Sequence, residues 1–200
     1  PLRQDEITLT GHAFEARLYA EDVPAGFLPA TGQLAHLHFG AARIETGVRQ
    51  GDRISPFYDP MIAKLVTHGP TRKAALGALA RALSETQVAG TVTNLAFLGA
   101  LARHAGFARG EVDTGLIARD IDALTEIPPA SLAAQAVAAA SGYAEGADRF
   151  EAGFTLWGSV PQRVYFAEFE AGVTALAGSA PRFAVEIDGA RFDVALERAE

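Results

Sequence analysis

Two hundred residues allow one large or two small domains, and 49% apolar with 20% charged residues suits a soluble chain that buries a core. The net charge of −7 argues against a nucleic-acid surface, where a basic stripe is expected, yet leaves room for a local basic pocket that takes an anionic substrate. There is no cysteine, hence no disulfide framework and no thiolate metal site; no apolar run reaches the ~18 residues of a membrane span and no signal peptide is visible, so the expected location is the cytoplasm.

The first elements read as strands and turns. HAFEARLY at 12–19 alternates partly as a strand does, and FLPATG at 27–32 is turn-rich. QLAHLHF at 33–39 reads as one strand with Leu34, His36 and His38 on one face and Leu37 and Phe39 on the other. RIETGVRQGDRI at 43–54 reads as short strands turning at Gly47 and Gly51, and 63–68 as another strand. Helices follow. Thr71 caps a helix that carries Ala75, Leu76, Leu79, Ala82 and Leu83 at helical spacing. Gln87 to Asn94 is an extended link, and Thr93 or Asn94 caps a second helix with Leu95, Leu98, Leu101 and Ala102 on one face. A short helix near 114–124 closes an α+β unit over 1–124. Residues 125–129, containing Pro128-Pro129, are the expected linker. Residues 130–200 form a second unit. It opens with an Ala-rich helix at 130–144 that carries Leu132, Ala133, Ala136, Val137 and Ala140, free of charge from Ser131 to Tyr143, and so expected to be buried or half-buried. RVYFAEFE at 163–170 reads as a strand, and RFAVEI and RFDVAL flank Asp188-Gly189, a two-residue hairpin signal.

Several residues are candidates for chemistry. His36 and His38 offer two metal ligands on one strand face, but no third ligand is identifiable, and a partly exposed face explains them better; no metal site is expected. No phosphate loop or nucleophile elbow is present. In YDPMIAKL, residues 58–65, Asp-Pro stands at the mouth of an apolar strand and a lysine in its middle. Tyr58, Asp59 and Lys64 then read as a local hydrogen-bonded brace. Arg43 on a strand can clamp an anion, although pattern alone favours a surface salt bridge with a neighbour such as Glu45.

GHAFEARLYAED, GFLPATG, RIETGVRQGDRISPFYDPMIAKLVTHG, GTVTNLAFL and GEVDTGLI occur in order and at matching spacing. Together they closely resemble the C-terminal part of biotin carboxylase from biotin-dependent acyl-CoA carboxylases, over residues 1 to about 124. DRFEAGFTLWGSVPQRVYFAEFE at 148–170, after the helix, resembles the start of the linking domain of 3-methylcrotonyl-CoA carboxylase-like α subunits, a helix wrapped by an antiparallel β-barrel, here only partial.

The resemblance implies ATP- and bicarbonate-dependent carboxylation of biotin, the carboxyl group passing later to an acyl-CoA, 3-methylcrotonyl-CoA in this reading. It implies that Arg43 lies against the biotin ureido ring and stabilises the enolate formed when N1 loses its proton. Asp59 braces the loop beside the active site, Pro60 fixes its entry angle and Lys64 is structural, while Thr114 and Gly115 pass near the adenine of ATP. ATP with Mg or Mn, and biotin on a carrier domain, are implied cofactors. Their ligands and the biotinylation motif AMKM are not among these residues. The chain opens Pro1-Leu2-Arg3 and its single methionine is Met61, so it is expected to be a piece of a longer or processed chain, inactive alone. Implied partners are a carboxyltransferase β subunit, the biotin carrier domain and a second biotin carboxylase domain. The alternatives are a non-catalytic assembly module, or the same part of an acetyl-, propionyl- or geranyl-CoA carboxylase or urea carboxylase.

Overall fold

In the first unit, Pro1–Ile127, a 3-10 turn (Gln4–Glu6) leads into β1 (His12–Tyr19), β2 (Glu21–Asp22), β3 (Leu28–Pro29), β4 (Gly32–Gln33), β5 (His36–His38), β6 (Arg43–Thr46), β7 (Arg53–Ile54) and β8 (Met61–Gly69). α1 (Arg72–Glu85), β9 (Gln87–Ala89), α2 (Leu95–Arg103), α3 (Ala105–Arg109) and α4 (Leu116–Thr125) complete it. The second unit, Pro128–Glu200, holds α5 (Leu132–Gly146), β10 (Gln162–Tyr165), β11 (Glu170–Leu176), β12 (Arg182–Ile187) and β13 (Ala190–Ala195). The computed structural model describes residues 2–146, 160–176 and 181–197. The aromatic run at 148–159 that contributes to the linking-domain resemblance lies outside the described residues.

The main sheet of the first unit is antiparallel, in the order β1-β8-β6. Strand alternation sorts its side chains. Ala16, Leu18, Ala63, Leu65 and Thr67 are buried against α1, which supplies Ala75, Leu76, Leu79, Ala82 and Leu83. Each large aliphatic side chain buried there contributes about 1.5–3 kcal/mol. α1 starts where Thr71 accepts a hydrogen bond from the Ala74 amide, a cap that contributes about 1 kcal/mol. Asn94 precedes α2 but does not cap it with its side chain. Its buried carboxamide accepts from the Tyr19 amide at 2.9 Å and donates to the Arg17 carbonyl at 3.2 Å. The asparagine thus serves as a strand partner at the end of β1, where the ladder to β8 shifts register between Leu18 and Tyr19. Gly90 precedes this point with φ +102°; a Cβ there would lie 1.9 Å from the Gln33 carbonyl oxygen.

Residues 33–39 are not one strand. Gly32–Gln33 pairs with β7 and His36–His38 with β9, and the chain changes partner at Leu34 and Ala35, where the Ala35 amide folds back on the Gln33 carbonyl. The turn resets the faces: Leu34 is fully buried while His36 and His38 are exposed. α3 is a further element with no sequence expectation behind it; five residues are too few for periodicity to register. His104 starts it, Nδ1 accepting from the Phe107 amide and Nε2 facing Asp120 at 3.3 Å.

Among the described residues of the second unit, β10-β11-β12-β13 form a four-stranded antiparallel meander. The stretch 163–170 is a hairpin rather than a strand. Phe166 and Phe169 stack at 4.5 Å in its loop, the Phe166 amide donates to the Phe169 carbonyl, and Tyr165 pairs with Glu170. Asp188 and Gly189 both take positive φ, 50° and 78°, as a two-residue turn between β12 and β13 requires. α5 packs one side on this sheet: Ala136, Ala139, Ala140 and Tyr143 meet Val173, Phe183, Val185, Ile187 and Val194. Val137, on its other side, and Leu132, at its first residue, are exposed.

Candidate functional site on the outer sheet face

The side of β1-β8-β6 turned away from α1 carries charge. Arg17 of β1, Lys64 of β8 and Glu45 of β6 stand in one row across the three strands. Glu15, Val66 and Arg43 form the next. The lysine inside an apolar strand is explained by this alternation: its neighbours Ala63 and Leu65 face the core, and Lys64 faces the other way.

Glu45 joins two cations. One carboxylate oxygen accepts from the Arg43 guanidinium Nη2 and the other meets Lys64 Nζ at 2.7 Å. Contact with Lys64 first, and with Arg43 second, holds the Glu45 carboxyl below its usual range. Glu45 in turn raises the Lys64 ammonium above its own. Across β8, Arg17 is bonded to Glu15 at 3.2 Å. The Arg43 side chain is 75% exposed, against 30% for Lys64. The trio therefore runs from an anchored lysine to an open guanidinium whose other donors have no partner among the described residues.

The remaining candidate residues lie elsewhere in the same unit. Asp59 Oδ1 accepts from the Met61 amide at 3.2 Å, and the Pro60 carbonyl accepts from Ala20, so the Asp-Pro turn ties the mouth of β8 to the end of β1. Tyr58 and Phe57 are exposed there. Val66, opposite Arg43, is seven residues along the chain from Asp59, roughly 20 Å of extended strand. Arg43 and Lys64 are thus brought together at the middle of β8, and Tyr58 and Asp59 stand just before its first residue. Thr114 and Gly115 form the turn before α4. Asp113 Oδ1 accepts from the Gly115 amide at 2.8 Å and from Arg119 at 2.9 Å. Asp113 and Arg119 line a cleft of about 600 Å³ with His104, Arg109, Glu111 and Leu116. His36 bonds Gln87 at 2.9 Å, and the described residues contain no group of three or more His, Cys, Asp or Glu able to hold a metal ion.

The family model for the biotin carboxylase C-terminal domain matches residues 15–119, more than half of the chain. The chain belongs to this family. As a biotin carboxylase C-terminal domain it is 57% identical over 120 residues to methylcrotonoyl-CoA carboxylase subunit alpha, mitochondrial, of Glycine max, covering 58% of this chain and 16% of that protein. To the propionyl-CoA carboxylase alpha chain, mitochondrial, of Caenorhabditis elegans it is 39% identical over 119 residues, covering 57% and 16%. Its fold is similar to the biotin carboxylase domain dimer of Hydrogenobacter thermophilus 2-oxoglutarate carboxylase, solved with MgADP, ADP and bicarbonate. The TM-score is 0.61 at 26% identity, over 64% of this chain and 29% of that one. The chain spans 16–17% of the length of the first curated relatives it matches. Arg43, Tyr58, Asp59, Lys64, Thr114 and Gly115 all fall within the span of the biotin carboxylase C-terminal domain. So do Glu45 and Arg17. The alternation of HAFEARLY and RIET signals that these two face outward, but only the strand register shows which cation each one meets.

Proposed function

We propose that this chain serves in the biotin carboxylase subunit of an acyl-CoA carboxylase, an ATP-dependent ligase that carboxylates biotin with bicarbonate. The reading rests on Arg43: a permanently charged, planar donor on a rigid strand, exposed, within a domain of this family. An open guanidinium with unused donors fits a flat ring whose carbonyl accepts hydrogen bonds. Biotin supplies a ureido nitrogen that takes up the carboxyl group and hands it on. Arg43 places a fixed cation where negative charge gathers on the ureido oxygen as the neighbouring nitrogen gives up its proton. No metal-dependent step is assigned to the described residues, which form no metal-binding group. The ATP and Mg or Mn ligands belong to other parts of the subunit.

Asp59 and Lys64 brace the same domain through the Met61 amide and Glu45, Tyr58 stands exposed on the same loop with no side-chain hydrogen bond among the described residues, and Thr114 with Gly115 runs beside the adenine, where the cleft lined by Asp113 and Leu116 supports the reading. The second unit begins the barrel of the linking domain and docks on a carboxyltransferase β subunit, in keeping with exposed Leu132 and Val137 on α5. The carrier domain and a second biotin carboxylase domain are the other proposed partners, the latter supported by the dimeric Hydrogenobacter relative. The cytoplasm is the location proposed, whereas the matched α subunits are named as mitochondrial; cell fractionation decides.

The acyl group proposed is 3-methylcrotonyl-CoA, because identity is 57% to the methylcrotonoyl-CoA enzyme and 39% to the propionyl-CoA enzyme. Steady-state kinetics of a full-length α subunit carrying this sequence, assembled with its β subunit, tests it. The expected order of kcat/KM is 3-methylcrotonyl-CoA well above propionyl-CoA and acetyl-CoA. A preference for either of the latter overturns the assignment.

A further inference from the structure

We infer that Glu45 is the positioning residue for Arg43 and that Lys64 is its counterweight: one carboxylate spans both cations, fixing the aim of the guanidinium without cancelling its charge. The inference rests on the assignment of Arg43 to the biotin half-reaction. It starts from the register. Positions 43 and 45 share a face of β6, and Glu45 stands directly across from Lys64 on the central strand. A long arginine side chain that is 75% exposed samples many rotamers unless tethered. Here its Nη2 is tied to Glu45 Oε1, while Oε2 is held by Lys64 at 2.7 Å. The tether is therefore rooted in the most enclosed member of the trio.

Charge explains why the lysine is needed. A lone Arg43–Glu45 pair is neutral and attracts a developing anion weakly. With Lys64 added, the trio keeps a net positive charge while every hydrogen bond within it survives. The neighbouring groups leave this arrangement intact. Arg17, which opposes Lys64 on the β1 side, repels the ammonium toward Glu45, and Glu15 is engaged by Arg17 rather than by Lys64. Arg43 remains the group that meets biotin; Glu45 and Lys64 act through it.

The test uses a full-length subunit carrying this sequence, with biotin carboxylation and biotin-independent, bicarbonate-dependent ATP cleavage measured in parallel. Glu45→Gln keeps the shape and removes the ion pairs. It is expected to lower kcat for biotin carboxylation by about 10- to 100-fold, the scale of a misplaced catalytic group, with ATP cleavage and the KM for ATP nearly unchanged. Lys64→Met is expected to produce a loss in the same direction, and Lys64→Arg, which restores a cation to Oε2, to recover most of it. In an Arg43→Ala background, Glu45→Gln is expected to cause no further loss. An independent, multiplicative loss there, or an equal fall in ATP cleavage, overturns the positioning role while leaving Arg43 in place. If Arg43→Ala itself leaves biotin carboxylation intact, the underlying assignment fails first.

Discussion

Lys64 and Glu21 show how the same few strands set opposite electrostatic demands on single residues. Lys64 is tolerated in an apolar strand because it points away from α1 and finds Glu45. Glu21 sits half-buried in β2, and its carboxyl is raised by desolvation first and by the charge of Asp59 second. A carboxyl raised on folding binds its proton more readily in the folded state. Stability then falls as pH rises from the unfolded pKa through the folded one, and stays lower above it. Glu45, lowered on folding, acts in the opposite sense: its contribution is present above the ordinary carboxylate range and is lost as pH falls through its lowered pKa. Glu21→Gln is therefore expected to raise Tm at neutral pH, with the gain vanishing below the ordinary carboxylate range. An equal gain at both pH values in thermal melts would show that charge is not the cause. Arg43, Asp59 and Lys64 were legible as candidates from motif and residue type. The role of Glu45 was not, because a carboxylate two positions from an arginine says nothing about the lysine on another strand until register is known.

Elements with internal periodicity were legible and those defined by a change of partner were not. α1, its Thr71 cap and the Asp188-Gly189 hairpin follow from local chemistry alone. The break at Leu34 and the Phe166 to Phe169 loop do not, since both interrupt alternating apolar stretches without a glycine or asparagine at the turn itself. In α5 the absence of charge suggested a buried or half-buried helix, and one stripe, Ala136, Ala139, Ala140 and Tyr143, meets the sheet. Small side chains on that stripe let the helix approach Val173 and Val185 closely, so the contact has no space for added volume. Ala140→Leu is expected to destabilise the second unit by about 1–3 kcal/mol through overpacking. Hydrogen exchange of the β11 to β13 amides should accelerate accordingly, whereas Val137→Leu, on the exposed side, should leave those rates unchanged.

At the scale of the molecule, composition bounded the class and ordered motifs located the family, but neither could locate surfaces used in assembly. The first unit brings its charged face together from three strands that are far apart in sequence. The second offers a helix with an exposed apolar side and a four-stranded antiparallel sheet. If this unit docks on a carboxyltransferase subunit, the amides of α5 and β10 to β13 should gain protection from hydrogen exchange when the full-length α subunit is mixed with its β partner. Unchanged protection in those elements would contradict the docking role. The central claim, that the outer face of β1-β8-β6 works in the biotin half-reaction, is tested most directly by Arg43→Ala in the full-length subunit. Biotin carboxylation is expected to fall by about 10²–10³-fold, the usual loss for a preorganised charge stabiliser, while bicarbonate-dependent ATP cleavage falls far less; equal losses in both reactions, or an undiminished rate of biotin carboxylation, would contradict it.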